Sequence, residues 1–149
     1  MKTKVPGRKQ SYILITITIV GLISLAGLIV DSGKVYINRR IAQNAAASAA
    51  QAAALALARG QDVTTAAQLN AANAGFDNDG TQDRVIVNNP PAIGCNGKNS
   101  TQVGDTEYVQ VIIQSNLSIY FAQVVGIRET YICVEDIEHA MPLAYSLSD

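Results

Sequence analysis

The chain has 149 residues, 11 basic and 12 acidic side chains, a net charge of −1 and no tryptophan. No basic domain and no strip of aromatic and basic residues is present, so nothing points to nucleic acid. The length allows one domain, or one small domain with an anchor.

Residues 1–10 (MKTKVPGRKQ) hold Lys2, Lys4, Arg8 and Lys9 and no acid. They precede residues 11–30 (SYILITITIVGLISLAGLIV), which carry no charge. A run of this length matches the roughly 20 residues of a transmembrane helix. It is too long for a signal-peptide core and ends in no A-x-A-like site. The basic block then keeps residues 1–10 in the cytoplasm and sends the rest outward. Gly21, Ser24 and Gly27 recur at three-residue spacing, where small side chains let helices approach closely, although glycine is also frequent in membrane spans. Asp31 closes the run, either marking the lipid–water boundary or facing a cation of a neighbouring chain.

Residues 35–59 are nearly all strong helix formers and contain no proline, and Gly60 follows as a stop. One helix over 11–59 is therefore expected, about 70 Å long at 1.5 Å per residue. Its alanine-rich half includes Ala46, Ala49 and Ala53. An alanine face buries little area per residue. A helix small or apolar nearly all round is expected to be buried. The remaining chain looks too short to cover it, so copies of the same chain are the expected partners.

Residues 60–149 form the expected head. Asp62 is placed to cap a helix over 63–73, ended by Gly75. In residues 76–83 (FDNDGTQD), Asp77, Asp79, Thr81 and Asp83 alternate around Gly80. Calcium loops are built from such oxygens, but the bidentate glutamate at the twelfth position of an EF-hand is missing. An acidic turn explains the same residues, so calcium is one of two readings. Strands are expected over 84–88, 107–114 and 128–135, with a short helix over 117–125; residues 136–149 give no signal. The sequence predicts an α+β chain: a long hydrophobic and alanine-rich helix followed by a small, mainly antiparallel sheet.

Cys95 and Cys133 both lie beyond the apolar run, on the expected outer, oxidising side. Pairing them closes a loop of about 39 residues, which contributes roughly 3–4 kcal/mol in the chain-entropy description. Two buried thiols are the alternative; a metal site is weak, because His139 is not at ligand spacing from either cysteine. Sequons at Asn99 and Asn116 are short enough to occur by chance. No P-loop, G-x-G-x-x-G or G-x-S-x-G is present, and His139 has no nucleophile beside it in sequence. The sequence gives no ground for an enzyme or a resident cofactor.

The run GLISLAGLIVDSGKVYINRRIAQNAAASAAQAAALALA resembles the N-terminal region of TadE/TadG-like proteins of the tight-adherence (Tad, or Flp-type) pilus system. Gly27-Leu28-Ile29-Val30-Asp31 matches the family's Gly–Leu–aliphatic–Asp element. Arg39-Arg40 matches its arginine-rich turn, and Gln43-Asn44-Ala45-Ala46 its next block. NLSIYFAQVVGI, residues 116–127, is similar to a later aromatic-rich segment. The chain departs from the pattern at Ala47, where the family often has an acid. Gly7 is the candidate cut site of a prepilin, and Tyr12 stands where such prepilins carry glutamate. The resemblance implies a pilin-like subunit, held in the inner membrane and then polymerised into an extracellular filament with the help of the pilus assembly machinery, for surface adhesion. A minor pilin that stays in the membrane and primes assembly is the alternative. A third is a single-pass anchored module that binds its ligand with calcium.

Overall fold

Helix formers without an interrupting proline give α1, Arg8–Ala58, 51 residues in one piece and about 77 Å long. The computed structural model describes residues 8–97 and 102–141. Lys2, Lys4, Gly7, the Asn99 sequon and residues 142–149 lie outside these. Gly60 has a left-handed φ of 65°. This lets its N–H and that of Gln61 turn back onto the carbonyls of Leu57 and Ala56 at 3.0 and 2.8 Å. Asp62 then caps α2, Val63–Asn73, by accepting from the N–H groups of Thr64 and Thr65, both at 3.2 Å.

Three strands follow: β1, Asp83–Asn88; β2, Tyr108–Ser118; and β3, Glu129–His139. They form one antiparallel sheet in the order β1-β2-β3, so the chain is α+β. The register puts Val85, Ile113 and Val134 in one row and Val87 and Val111 in the next. Alternation along a strand sends these side chains to a single face. That face closes a core with Ala42, Ala45, Ala46, Ala49, Ala50 and Ala53 of α1 and Ala67 and Ala71 of α2. The α1 alanines recur at three- and four-residue spacing, which is one helical stripe.

The alanine stripe thus finds its cover inside its own chain, where copies of the chain were expected. The length of residues 60–149 understates the cover they supply. Three adjacent strands of β-branched residues make a flat apolar surface. Side chains of one methyl let the helix lie close against it. Val109, Val111 and Ile113 are fully buried there, each contributing about 1.5–3 kcal/mol.

Two strands run longer than expected. β2 continues to Ser118, opposite Glu129, and displaces the first part of the expected helix over 117–125. Only a 3-10 turn, Ala122–Val125, remains of it. β3 continues to His139, opposite Tyr108. Glu135, Asp136 and Glu138 hide this stretch in the sequence because their charges interrupt the apolar alternation. An edge strand tolerates such charges.

On the other face of the sheet, Gln110 is fully buried. Its Oε1 accepts from Asn88 Nδ2 and Ala92 N at 2.9 and 3.0 Å, and its Nε2 donates to Glu135 Oε2 at 2.9 Å. The same carboxylate oxygen accepts from Cys95 N at 3.0 Å. A methyl at Gly94 would fall on this carboxylate. Cys95 and Cys133 are joined, with Cα atoms 5.8 Å apart, so a disulfide and a polar network fix one loop to the sheet.

Ala49 is fully buried between α1 and the sheet. Ala49→Leu is expected to destabilise the chain by about 1–3 kcal/mol through overpacking. Denaturant unfolding of the detergent-solubilised protein checks this, and unchanged stability would place Ala49 outside the core.

Candidate functional site

Residues 11–30 differ from the rest of α1 in having almost nothing packed on them. Their large side chains, from Tyr12 to Val30, are exposed on every side of the helix. Four hydroxyls in this stretch and just beyond it do not need water. Thr16, Thr18, Ser24 and Ser32 donate to the carbonyls of Tyr12, Leu14, Val20 and Leu28 at 2.7–2.9 Å. The helix is long and apolar enough to cross a membrane.

The bare stretch ends at a latch between α1 and the turn after β2. Asp31 is only 5% exposed. One carboxylate oxygen accepts from Tyr120 N at 3.2 Å; the other accepts from Phe121 N and Ala122 N at 2.9 and 2.8 Å. These N–H groups open the Ala122–Val125 turn and have no partner within it. One helical turn earlier, Gly27 is buried beneath Phe121, and a Cβ there would lie 2.7 Å from the ring. One turn later, Lys34 Nζ donates to Ser118 O at 2.7 Å and sits 4.2 Å from the centre of the Tyr120 ring. Gly27, Asp31 and Lys34 lie on one side of the helix, and together they grip residues 118–122.

Asp31 was expected to mark a boundary or to face a neighbouring chain; here its partners are backbone groups of its own chain. Phe121, Tyr120 and Lys34 were not foreseen as partners. Both halves of the latch stand in motifs visible in the sequence, but the 89–91 residues between them leave no local signal of pairing. Of the other small residues, Gly21 has nothing within reach of a Cβ. Gly21 and Ser24 line a mainly apolar groove of about 870 Å³ between α1 and the turn, walled also by Val20, Leu28, Phe121 and Val124. Ala46, Ala49 and Ala53 lie in the core.

Residues 77–82 form a loop that leads into β1 at Asp83. Asp79 accepts from Thr81 N, Thr81 Oγ1, Gln82 N and Asp83 N at 2.8, 2.6, 2.9 and 3.2 Å. The Thr81 hydroxyl, then the backbone N–H groups, hold this carboxyl well below the ordinary aspartate range. Asn78 Oδ1 accepts from Val85 N at 2.8 Å. Among the described residues no three His, Cys, Asp or Glu side chains gather to hold a metal ion; of the two readings of Asp77, Asp79, Thr81 and Asp83, the acidic turn accounts for the bonds that Asp79 makes. Thr65 likewise lowers Asp62, through its hydroxyl first and its backbone N–H second. Burial, helped by Glu138, raises Asp136. His139 meets Glu107 at 3.3 Å and the Tyr108 ring at 4.7 Å, with no nucleophile beside it among these contacts.

Residues 11–59 match the family model described as putative Flp pilus-assembly TadE/G-like. The match begins with the apolar run and ends one residue past α1, so the resemblance over this stretch is shown. The matched family is a pilus-assembly family and not an enzyme family. No curated protein and no solved structure matches the chain.

Asp31→Ala is expected to release residues 120–122. Charge-assisted hydrogen bonds are worth about 1.5–3 kcal/mol, so amide exchange at Tyr120, Phe121 and Ala122 should accelerate about 10- to 100-fold. Gly27→Leu should do the same by expelling Phe121. Exchange unchanged in both variants would remove the latch. For Asp79 the sign is that of a depressed acid. Its contribution to stability is complete above the ordinary value of 3.8 and is lost as pH falls through that value toward the lower folded one. Asp79→Asn should flatten this part of the acid-unfolding curve; identical acid limbs for both proteins would refute the role.

Proposed function

We propose that the chain is a pilin-like subunit of a Tad-type pilus. Residues 11–30 hold it in the inner membrane, with residues 1–10 in the cytoplasm and the head outside. The same residues then pack against other copies in a filament, which serves surface adhesion. The observation that carries this reading is the division of α1. Its alanine-rich half is covered by the head, and residues 11–30 are left bare with no charge to keep them in water. A surface of that size requires lipid or other protein. The family match over the same helix supports a pilus for the second environment.

Polymer contacts in this reading come from residues 11–30, with Gly21 and Ser24 as points of close approach. Ala46, Ala49 and Ala53 act one step back, by holding the head on the helix. A disulfide-pinned sheet suits a head that works outside the cell. The minor-subunit reading shares the anchor but keeps the chain in the membrane to prime assembly, and copy number separates the two.

The test is a photo-crosslinking amino acid at Ile17, which is exposed. Sheared surface filaments should contain the chain as a dominant component, and Ile17 should give a ladder of homo-oligomers. Filaments in which the chain is a trace component would move it to the priming role. Filaments without the chain, and no ladder from Ile17, would overturn a filament role.

A further inference from the structure

The turn after β2 presents a second apolar surface beside the bare helix. Val124 is 90% exposed, Tyr120 64%, Ile127 53% and Phe121 46%. Four large apolar side chains on one short turn are costly in water. They do not point away from α1 at random. Phe121 sits on Gly27, and Val124 and Ile127 wall the groove that reaches down the helix as far as Thr18. Gly27 lies four residues inside the uncharged run, about 6 Å below Asp31 along the helix axis.

We infer that residues 119–127 form an apolar wedge that lies in the lipid leaflet on the head side of the membrane, against α1. This rests on the membrane-spanning reading of residues 11–30. A backbone entering a bilayer must satisfy its polar groups within the protein, and seven N–H groups of residues 119–127 find acceptors there. Ile119 N donates to Arg128 O at 3.0 Å. Tyr120, Phe121 and Ala122 donate to Asp31. Val124, Gly126 and Ile127 donate to the carbonyls of Phe121, Gln123 and Ala122 at 3.0–3.2 Å. The Gln123 side-chain amide donates to Ile119 O. Asp79 collects three N–H groups in an exposed loop; Asp31 does so while only 5% exposed.

The flanks fit the same placement. Lys34, over the Tyr120 ring, puts its ammonium at the base of the wedge, and exposed Arg128 follows its far end. An aromatic ring and cations at this level match the headgroup zone. The depth of Phe121 matches the roughly 5–10 Å to which interfacial apolar faces sink. Lipid is favoured over a second copy because residues 11–30 are apolar all round, as a fluid surrounding requires, and not along one seam.

The chain has no tryptophan, so one introduced indole reports its own surroundings. Val124→Trp probes the wedge and Ile19→Trp the middle of the span. Ile93→Trp probes the head far from α1. Each side chain is at least half exposed and accepts the larger ring. The intact chain is reconstituted in phosphatidylcholine–phosphatidylglycerol vesicles brominated near the headgroup or near the chain end. Val124→Trp should shift to the blue and lose most of its emission to the shallow bromines. Ile19→Trp should lose it to the deep ones, and Ile93→Trp should keep it. Quenching of Ile19→Trp without quenching of Val124→Trp would overturn the wedge and leave the span standing. No quenching of either would overturn both. Quenching of Val124→Trp that fades as the protein-to-lipid ratio rises, with that of Ile19→Trp retained, would give the surface to another copy of the chain and overturn the lipid assignment.

Discussion

Three backbone N–H groups converge on the carboxylate of Asp31, and most of the molecule's layout follows from where that carboxylate stands. It is the first charged residue after the uncharged run, at the level where the helix changes from bare to covered. A buried carboxylate without partners would cost several kcal/mol. So would three N–H groups in an apolar setting without acceptors. Each solves the other's problem. Gly27 and Lys34 add an apolar and a polar grip one turn to either side, so the β2–β3 connection is held at three successive levels of the helix.

Above the latch, α1 belongs to the head. Alanine is the residue that lets a single helix serve both of its halves. It has the highest helix propensity, so it keeps the rod continuous. Its single methyl allows the sheet to come close, and Val109, Val111 and Ile113 then supply the area that alanine lacks. Below the latch, the leucines, isoleucines and valines make the opposite provision, exposing area that only an apolar medium or another protein can take up. The uncharged run can therefore leave the head by composition alone, without a break in the helix.

Much of this layout is legible in the sequence, and the reasons for the remainder are physical. Local chemistry marks α1, the Gly60 stop, the Asp62 cap and α2. β1 shows as a short β-branched run stopped by Asn89-Pro90-Pro91, and the first half of β2 puts Val109, Val111 and Ile113 on one face. The end of β3 shows no such pattern, because an edge strand accepts acids that break it. The 117–125 stretch reads as a helix from its composition, yet pairing of Leu117 and Ser118 with Thr130 and Glu129 draws its start into the sheet. The Asp77–Asp83 alternation suggests a cation, while in the fold Asp79 turns its oxygens to the N–H groups of Thr81, Gln82 and Asp83. Asp31 and Gly27 are conspicuous in the sequence, but their partners are some 90 residues away, and only the fold can name them.

A rod with no proline and no break across the bare and covered halves transmits orientation. If the head touched α1 only along the alanine stripe, it would stand clear of the boundary at Asp31. The latch brings residues 119–127 down beside the apolar run, so the head meets that boundary at two places, the rod and the turn. Two points of contact fix the azimuth of the head as well as its height. In the proposed passage from membrane to filament that is a usable property: the face of α1 that carries Gly21 and Ser24 keeps a set relation to the head and would offer neighbouring copies a surface of defined direction. The groove beside Gly21 stays open in the single chain, with Phe121 and Val124 as its far wall. On the proposed reading, lipid chains filling it would be easily displaced, because the exchange of one apolar neighbour for another costs little, and close packing at a glycine would favour the helix that replaces them.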